Sequence, residues 1–139
     1  MASIALYKSS NLLFLYDDDY HDDFNAYPYV RFECRTDFFP GINEQGQPRG
    51  PIPTGKYVAT IDESYAGDED AYGPYFINVD TERGRGIHGG GTDLQYPMLP
   101  RQGWEKTRGC GRMQNEDLEK VVQFIRDKCG GRAEMNVYD

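Results

Sequence analysis

Two short glycine-rich stretches hold the residues that could do chemistry: Gly86-Ile87-His88-Gly89-Gly90-Gly91 and Thr107-Arg108-Gly109-Cys110-Gly111-Arg112. The chain has two histidines and three cysteines, and one of each stands in these glycine settings. Glycine carries no Cβ, so it tolerates unusual backbone angles and lets another molecule approach the main chain. Cys110, between Gly109 and Gly111, is therefore expected to be presented rather than buried, although most free cysteines are small core residues. The thiolate is the nucleophilic form of cysteine, and a nearby imidazole or guanidinium favours it. His88 and Arg112 are the candidates for those two roles. Cysteine, histidine and a third group that orients the imidazole form the minimal kit for covalent acyl transfer. In that scheme His88 takes the Cys110 proton and the sulfur attacks a carbonyl. Backbone N–H groups around Gly109, Cys110 and Gly111 then stabilise the oxyanion. Arg112 has three open roles: it grips a substrate carboxylate in bidentate fashion, raises the local positive potential, or makes a structural salt bridge to an acidic neighbour.

The same residues resemble the L,D-transpeptidase (YkuD-type) catalytic domain. That family carries a His-Gly element, then Ser/Thr-x-Gly-Cys-x-Arg, then Asn-x-Asp. This chain has His88-Gly89, Thr107 to Met113, and Asn115-Glu116-Asp117 in that order, with Pro51-Ile52-Pro53-Thr54-Gly55-Lys56-Tyr57 upstream resembling the family's Pro-Thr-Gly-aromatic strand entry. Two positions depart from the pattern: Arg108 stands where many members have a second histidine, and Gly111 replaces a larger residue. The resemblance implies a mixed β-sheet sandwich with one long helix after the cysteine loop, in a mostly β (α+β) chain. It implies Cys110, His88 and the Gly89 carbonyl as catalytic groups, the carbonyl orienting the imidazole. The implied substrate is a peptidoglycan stem peptide or muropeptide, cut at the L,D bond before D-alanine. The acceptor is water (L,D-carboxypeptidase) or an amine (L,D-transpeptidase), and action as a toxin on a rival's cell wall is one use of such chemistry. The alternative is a muropeptide-binding module of the same fold, weak in catalysis because Arg108 replaces histidine. Arg108, Gly109, Gly111, Arg112, Trp104 and Tyr96 are the expected substrate contacts.

The elements that must position these residues are legible along the chain. Ser3–Lys8 and Asn11–Tyr16 read as a hairpin of two short strands. The run Asp17 to Asp23, with His21 inside it, reads as a solvated loop, because it lacks the ligand spacing of a calcium loop. Tyr27–Arg35 alternates, with Val30, Phe32 and Cys34 on the apolar face. A turn-rich connector from Phe39 to Pro51 precedes the strand Gly55–Asp62. Glu63–Gly73 reads as a surface excursion, and Tyr75–Val79 is β-prone and leads to His88. The 89–109 stretch is long for a loop without regular structure, which favours a flap that presents Tyr96 and Trp104 to substrate, or anchors itself by them. Leu118, Val121, Val122, Ile125 and Cys129 fall on one stripe of a helix that Asn115 caps and Gly130 stops. Cys129 is expected to be inert at the end of that stripe. Glu134–Tyr138 reads as a closing strand.

At 139 residues the chain is expected to be one domain, residues 1–139. Eleven Tyr, seven Phe, sixteen Gly and eight Pro suit a sheet with many turns. A net charge of −8 argues against nucleic acid and against anionic membrane surfaces as partners, and no apolar run approaches a membrane span. Three cysteines without a C-x-x-C pair predict neither a disulfide framework nor a zinc site, so no metal or cofactor is expected. The first residues lack a basic region followed by an apolar core, which predicts a cytoplasmic protein, or periplasmic action after export by a signal-independent route.

Overall fold

The computed structural model describes residues 2–21, 26–44 and 46–139. Eight strands form one mixed sheet: β1 (Ser3–Tyr7), β2 (Leu12–His21), β3 (Ala26–Glu33), β4 (Gly55–Ile61), β5 (Phe76–Asp80), β6 (Arg85–His88), β7 (Gly111–Arg112) and β8 (Arg132–Tyr138). One helix, α1 (Asn115–Lys128), lies between β7 and β8 in sequence. The spatial order is β3-β2-β1-β8-β4-β5-β6-β7, so the last strand sits in the middle. β8 pairs parallel with β1 and antiparallel with β4. The sheet curls, and the described residues are mostly β with a single helix.

The opening hairpin forms as its alternation requires, with Ile4, Leu6, Leu13 and Leu15 buried. Asn11 turns it at φ 56°, a left-handed angle that asparagine tolerates. The acidic run is not all loop. Asp17 to His21 continue β2, with His21 opposite Ala26 of β3 across register shifts. Asp22, Asp23 and the side chain of His21 lie outside the described residues. Strand pairing here overrides the weak β-propensity of aspartate.

The helix stripe packs as its period predicts. Leu118, Val121, Val122 and Ile125 are fully buried in one cluster with Ile4, Leu6, Leu13, Met135 and Ile77. Each such side chain contributes about 1.5–3 kcal/mol relative to exposure. Phe124, nearly buried, joins the same cluster. Gly130 at φ 64° ends the helix, and the Gly131 N–H donates to the Ile125 carbonyl. Cys129 is half-buried against the core, and burial pushes its thiol up. The N-cap position is occupied by Gln114, which makes no side-chain capping bond. Asn115 is the first helical residue, and its side chain is spent elsewhere.

Candidate active site

The site is assembled by the shortest strand pair in the sheet. β6 and β7 run parallel with Ile87 opposite Gly111 and His88 opposite Arg112. Partners in a parallel pair share a face, and faces alternate along a strand. Ile87 and Gly111 therefore face the core, where Ile87 is 1% exposed. His88, Arg112 and Cys110 face outward and line one open cavity of about 690 Å³. A two-residue ladder thus joins residues 24 positions apart, Ile87 with Gly111 and His88 with Arg112, into one constellation. The Gly86 N–H reaches back to the Cys110 Sγ at 3.4 Å. Glycine is required at 86 because a Cβ there would stand 2.1 Å from the Ile77 carbonyl oxygen and 2.8 Å from the Phe76 ring.

His88 is held as a neutral base. Its Nδ1 lies 2.9 Å from the Gly89 carbonyl, which can only accept, so Nδ1 carries the proton and Nε2 is the basic nitrogen. Phe76 stacks on the imidazole at 5.6 Å and Tyr72 meets it edge-on at 5.0 Å. Burial lowers the His88 pKa to about 4, with the Gly89 carbonyl opposing that shift and Arg112 adding to it. Cys110 is half-buried, and burial pushes its thiol up, against the pull of the Gly86 N–H and the Arg112 and Arg85 charges. Both shifts favour the neutral forms, thiol and imidazole, and desolvation is the largest cause of each. Among the described residues no hydrogen bond joins the two directly.

Arg112 is 3% exposed and is surrounded by acceptors. Its Nε donates to the Gly89 carbonyl at 3.2 Å, Nη1 to the carbonyls of Glu105 and Lys106 at 2.6 and 3.2 Å, and Nη2 to that of Ala71 at 3.2 Å. The Glu105 carboxylate stands 3.5 Å from Nη1. Of its three open roles, the structural one has these partners in place. The guanidinium fixes the carbonyl that fixes His88, and it ties the 69–73 turn to the cysteine loop.

The turn before the nucleophile is stiffened by Thr107, whose hydroxyl donates to the Cys110 carbonyl at 2.7 Å and accepts from the Gly109 N–H at 3.1 Å. Of the three amides expected at an oxyanion, that of Gly109 is thereby committed. Arg35 pairs with Arg112 through both backbone bonds, so the chain after β3 braces this loop from outside.

The 89–109 stretch is irregular, but it is fastened rather than free. Asn115 Oδ1 accepts from the Gly90 N–H, and its Nδ2 donates to the carbonyls of Pro97 and Leu99. Gln102 bonds Gly90, Met113 and Asn115, and Gln114 exchanges bonds with Gly103. Arg101 adds ion pairs to Glu116 and Asp117. This network staples the loop to the start of α1. Trp104 packs under the Arg35 guanidinium at 4.2 Å, and Tyr96 is 59% exposed. Neither lines the cavity, and Gly109 and Gly111 do not; Arg108 does. The residues that sequence reasoning missed are Tyr72, Phe76, Arg85 and Glu105, all at the cavity. Tyr72 sat in a stretch read as surface, and only its aromatic type among acidic neighbours could have drawn notice.

The profile of the L,D-transpeptidase catalytic domain (YkuD) family matches residues 7–132. The chain belongs to that family. No curated protein matches it in sequence. Among solved structures it is similar to the helical cell shape determining protein Pgp2 from Campylobacter jejuni, at 18% identity and a TM-score of 0.63 over 98% of this chain. The K307A mutant of the same protein gives the same values. Bd1075 from Bdellovibrio bacteriovorus is similar at 13% identity and a TM-score of 0.59 over 99% of this chain. These likenesses are of fold. The chain spans about half the length of the structures it matches, 46% and 47%.

Proposed function

We propose that this domain carries out cysteine-dependent acyl transfer on peptidoglycan stem peptides, cutting the L,D bond before D-alanine through a thioester. The observation that carries this reading is the β6–β7 register, which brings His88 and the residue next to Gly111, Cys110, to line one cavity. In the first half-reaction the proton leaves Sγ for His88 as sulfur bonds the scissile carbonyl carbon. The C–N bond then breaks, and the proton passes to the leaving D-alanine nitrogen. In the second, water or an amine gives its proton to His88 and bonds the same carbon; the C–S bond breaks and the proton returns to Sγ. Because burial favours the neutral form of both groups, proton transfer accompanies attack, as in general-base catalysis. The Cys110 and Gly111 amides remain as oxyanion donors, since that of Gly109 is held by Thr107. Family membership supports the class of substrate.

The test is mass spectrometry of products from tetrapeptide muropeptides, with and without an amine acceptor. Loss of one D-alanine, or its exchange for the acceptor, is expected from the native protein and absent from Cys110→Ala. A binding module of the same fold is the second reading, favoured by Arg108 at the second histidine's position. Tight binding without any mass change would establish that reading and overturn the first.

A further inference from the structure

The sheet has one edge that the fold leaves open. β3 ends the spatial order and pairs with β2 alone. The opposite end strand, β7, is covered, because Arg35, two residues beyond β3, pairs with Arg112 through both backbone bonds. Amide direction alternates along a strand. The Cys34 N–H donates to the Asn11 carbonyl at 3.0 Å on the β2 side, so the backbone groups of Phe32 point to β2 and those of Arg31 and Glu33 point away from the sheet. Side chains alternate as well. Val30 and Phe32 face inward and, with Leu15 and Phe124, line a groove of about 490 Å³ between β3 and α1. Arg31 and Glu33 face outward, opposite Phe14 and Leu12 of β2. Arg31 is exposed and makes no ion pair among the described residues. The Glu33 carboxylate accepts from the Arg35 Nε at 2.5 Å through Oε2, and a carboxylate has acceptor sites on both oxygens. Pro28 has no N–H to donate, so it bounds the open stretch.

We propose that this edge is the interface of a homodimer, formed by β3 of two copies in antiparallel register about Phe32. A strand that docks here must offer apolar side chains on the groove side, and on the outer side an acid opposite Arg31 and a base opposite Glu33. β3 itself meets those demands. With Phe32 opposite Phe32 of the second copy, Arg31 stands opposite Glu33 of the second copy, and Glu33 opposite its Arg31. Each of these pairs exchanges N–H···O bonds through outward-pointing backbone groups, and each sets a guanidinium beside a carboxylate. Charge also selects the register. A slip of two residues one way sets Arg31 against Arg31, and the other way Glu33 against Glu33, while a slip of one turns the apolar side chains to the wrong face. The Val30 and Phe32 side chains of the second copy lie on the groove side, where they cover apolar surface beside Phe124. So short a contact buries less than the roughly 800 Å² per partner of a standard interface, which makes the dimer a reversible one. The inference does not depend on the acyl-transfer reading.

Sedimentation velocity of the native protein, from roughly 1 µM to 1 mM, reads the association, and a reversible dimer with a Kd of roughly 10–100 µM is expected. Arg31→Glu sets carboxylates against carboxylates in both cross-strand pairs, and Glu33→Arg sets guanidinium groups against each other. Each variant alone is expected to dimerise at least about 10-fold more weakly than the native protein. An equimolar mixture of the two variants restores opposite charges in both pairs, so a heterodimer of near-native strength is expected. Amide hydrogen exchange on the native protein keeps the test clear of any folding defect in the variants. Arg31 and Glu33 should gain protection as concentration rises, whereas Val30 and Phe32, whose amides face β2, should not. A native protein that stays monomeric throughout the range, or exchange at Arg31 and Glu33 that ignores concentration, overturns the dimer. Native-strength dimers of both single variants overturn the β3 edge as its site. Folded variants that are monomeric both alone and mixed overturn the register about Phe32.

Discussion

Gly111 departs from the family pattern, and the structure shows what occupies the missing volume. A Cβ built on Gly111 would stand 2.9 Å from the Cys34 Sγ and 3.4 Å from the Ile87 Cγ1. Cys34 is fully buried, and burial with the nearby Glu33 charge pushes its thiol up to about 12, so it is an inert core sulfur. Ordinary contact between such atoms is at about 3.5–4.0 Å. Gly111→Ala therefore overpacks the wall behind the nucleophile by more than half an ångström, with an expected cost of about 1–3 kcal/mol. Cys34→Ala removes the sulfur and leaves a small void, at a cost of about 1–2 kcal/mol. In the double variant the new methyl group fills the void. Its cost is expected to fall short of the sum by about 1–3 kcal/mol, a coupling typical of residues in direct contact. Urea unfolding of the four proteins measures this, provided the m-value is unchanged. Because Gly111 follows Cys110 directly, the alkylation rate of Cys110 should fall in Gly111→Ala and recover in the double variant. Additivity within about 0.5 kcal/mol would refute the claim that sulfur and glycine share one volume.

Three further outcomes are expected. His88 binds no proton in the folded state until pH falls to about 4, whereas the unfolded chain takes one near 6.5. The unfolded state thus holds more protons in that window, and stability is lost as pH falls from about 6.5 to 4, by roughly 3 kcal/mol. Comparing the native protein with His88→Gln across those pH values isolates this loss, and parallel curves would refute it. Arg112→Met should destabilise by about 3–5 kcal/mol, because it strands the Glu105 carboxylate and several carbonyls. NMR of the His88 ring should show loss of the fixed Nδ1–H tautomer as the Gly89 carbonyl is released, an effect that a loss of packing alone would not produce. Iodoacetamide should label Cys110 before Cys34, with a rate that climbs at pH values above the ordinary thiol range because burial raises the Cys110 thiol. Arg85→Gln should shift that climb further up, and prior labelling of Cys34 would contradict the burial that the fold assigns to it.

Local pattern was enough to recognise the hairpin of β1 and β2, the apolar stripe of α1 and the glycine at its end. Each depends on neighbours within a few residues, where periodicity and turn chemistry act directly. The glycine settings singled out His88 and Cys110 but did not foretell their burial: His88 is 3% exposed and Cys110 half-buried. The tertiary structure alone decided what those residues meet. The closing strand reads like any edge strand, yet β8 lies at the centre between β1 and β4, because pairing is chosen by the whole set of strands rather than by one. Asp17 to His21 joined β2 because β3 was there to pair with them. Asn115 has the composition of a cap, but Gly90, Pro97 and Leu99 surround it and claim its amide instead. The contacts of Arg112, Cys34 and Tyr72 all join residues far apart in sequence. Their chemistry follows from a two-residue register between β6 and β7 that no periodicity along the chain could express.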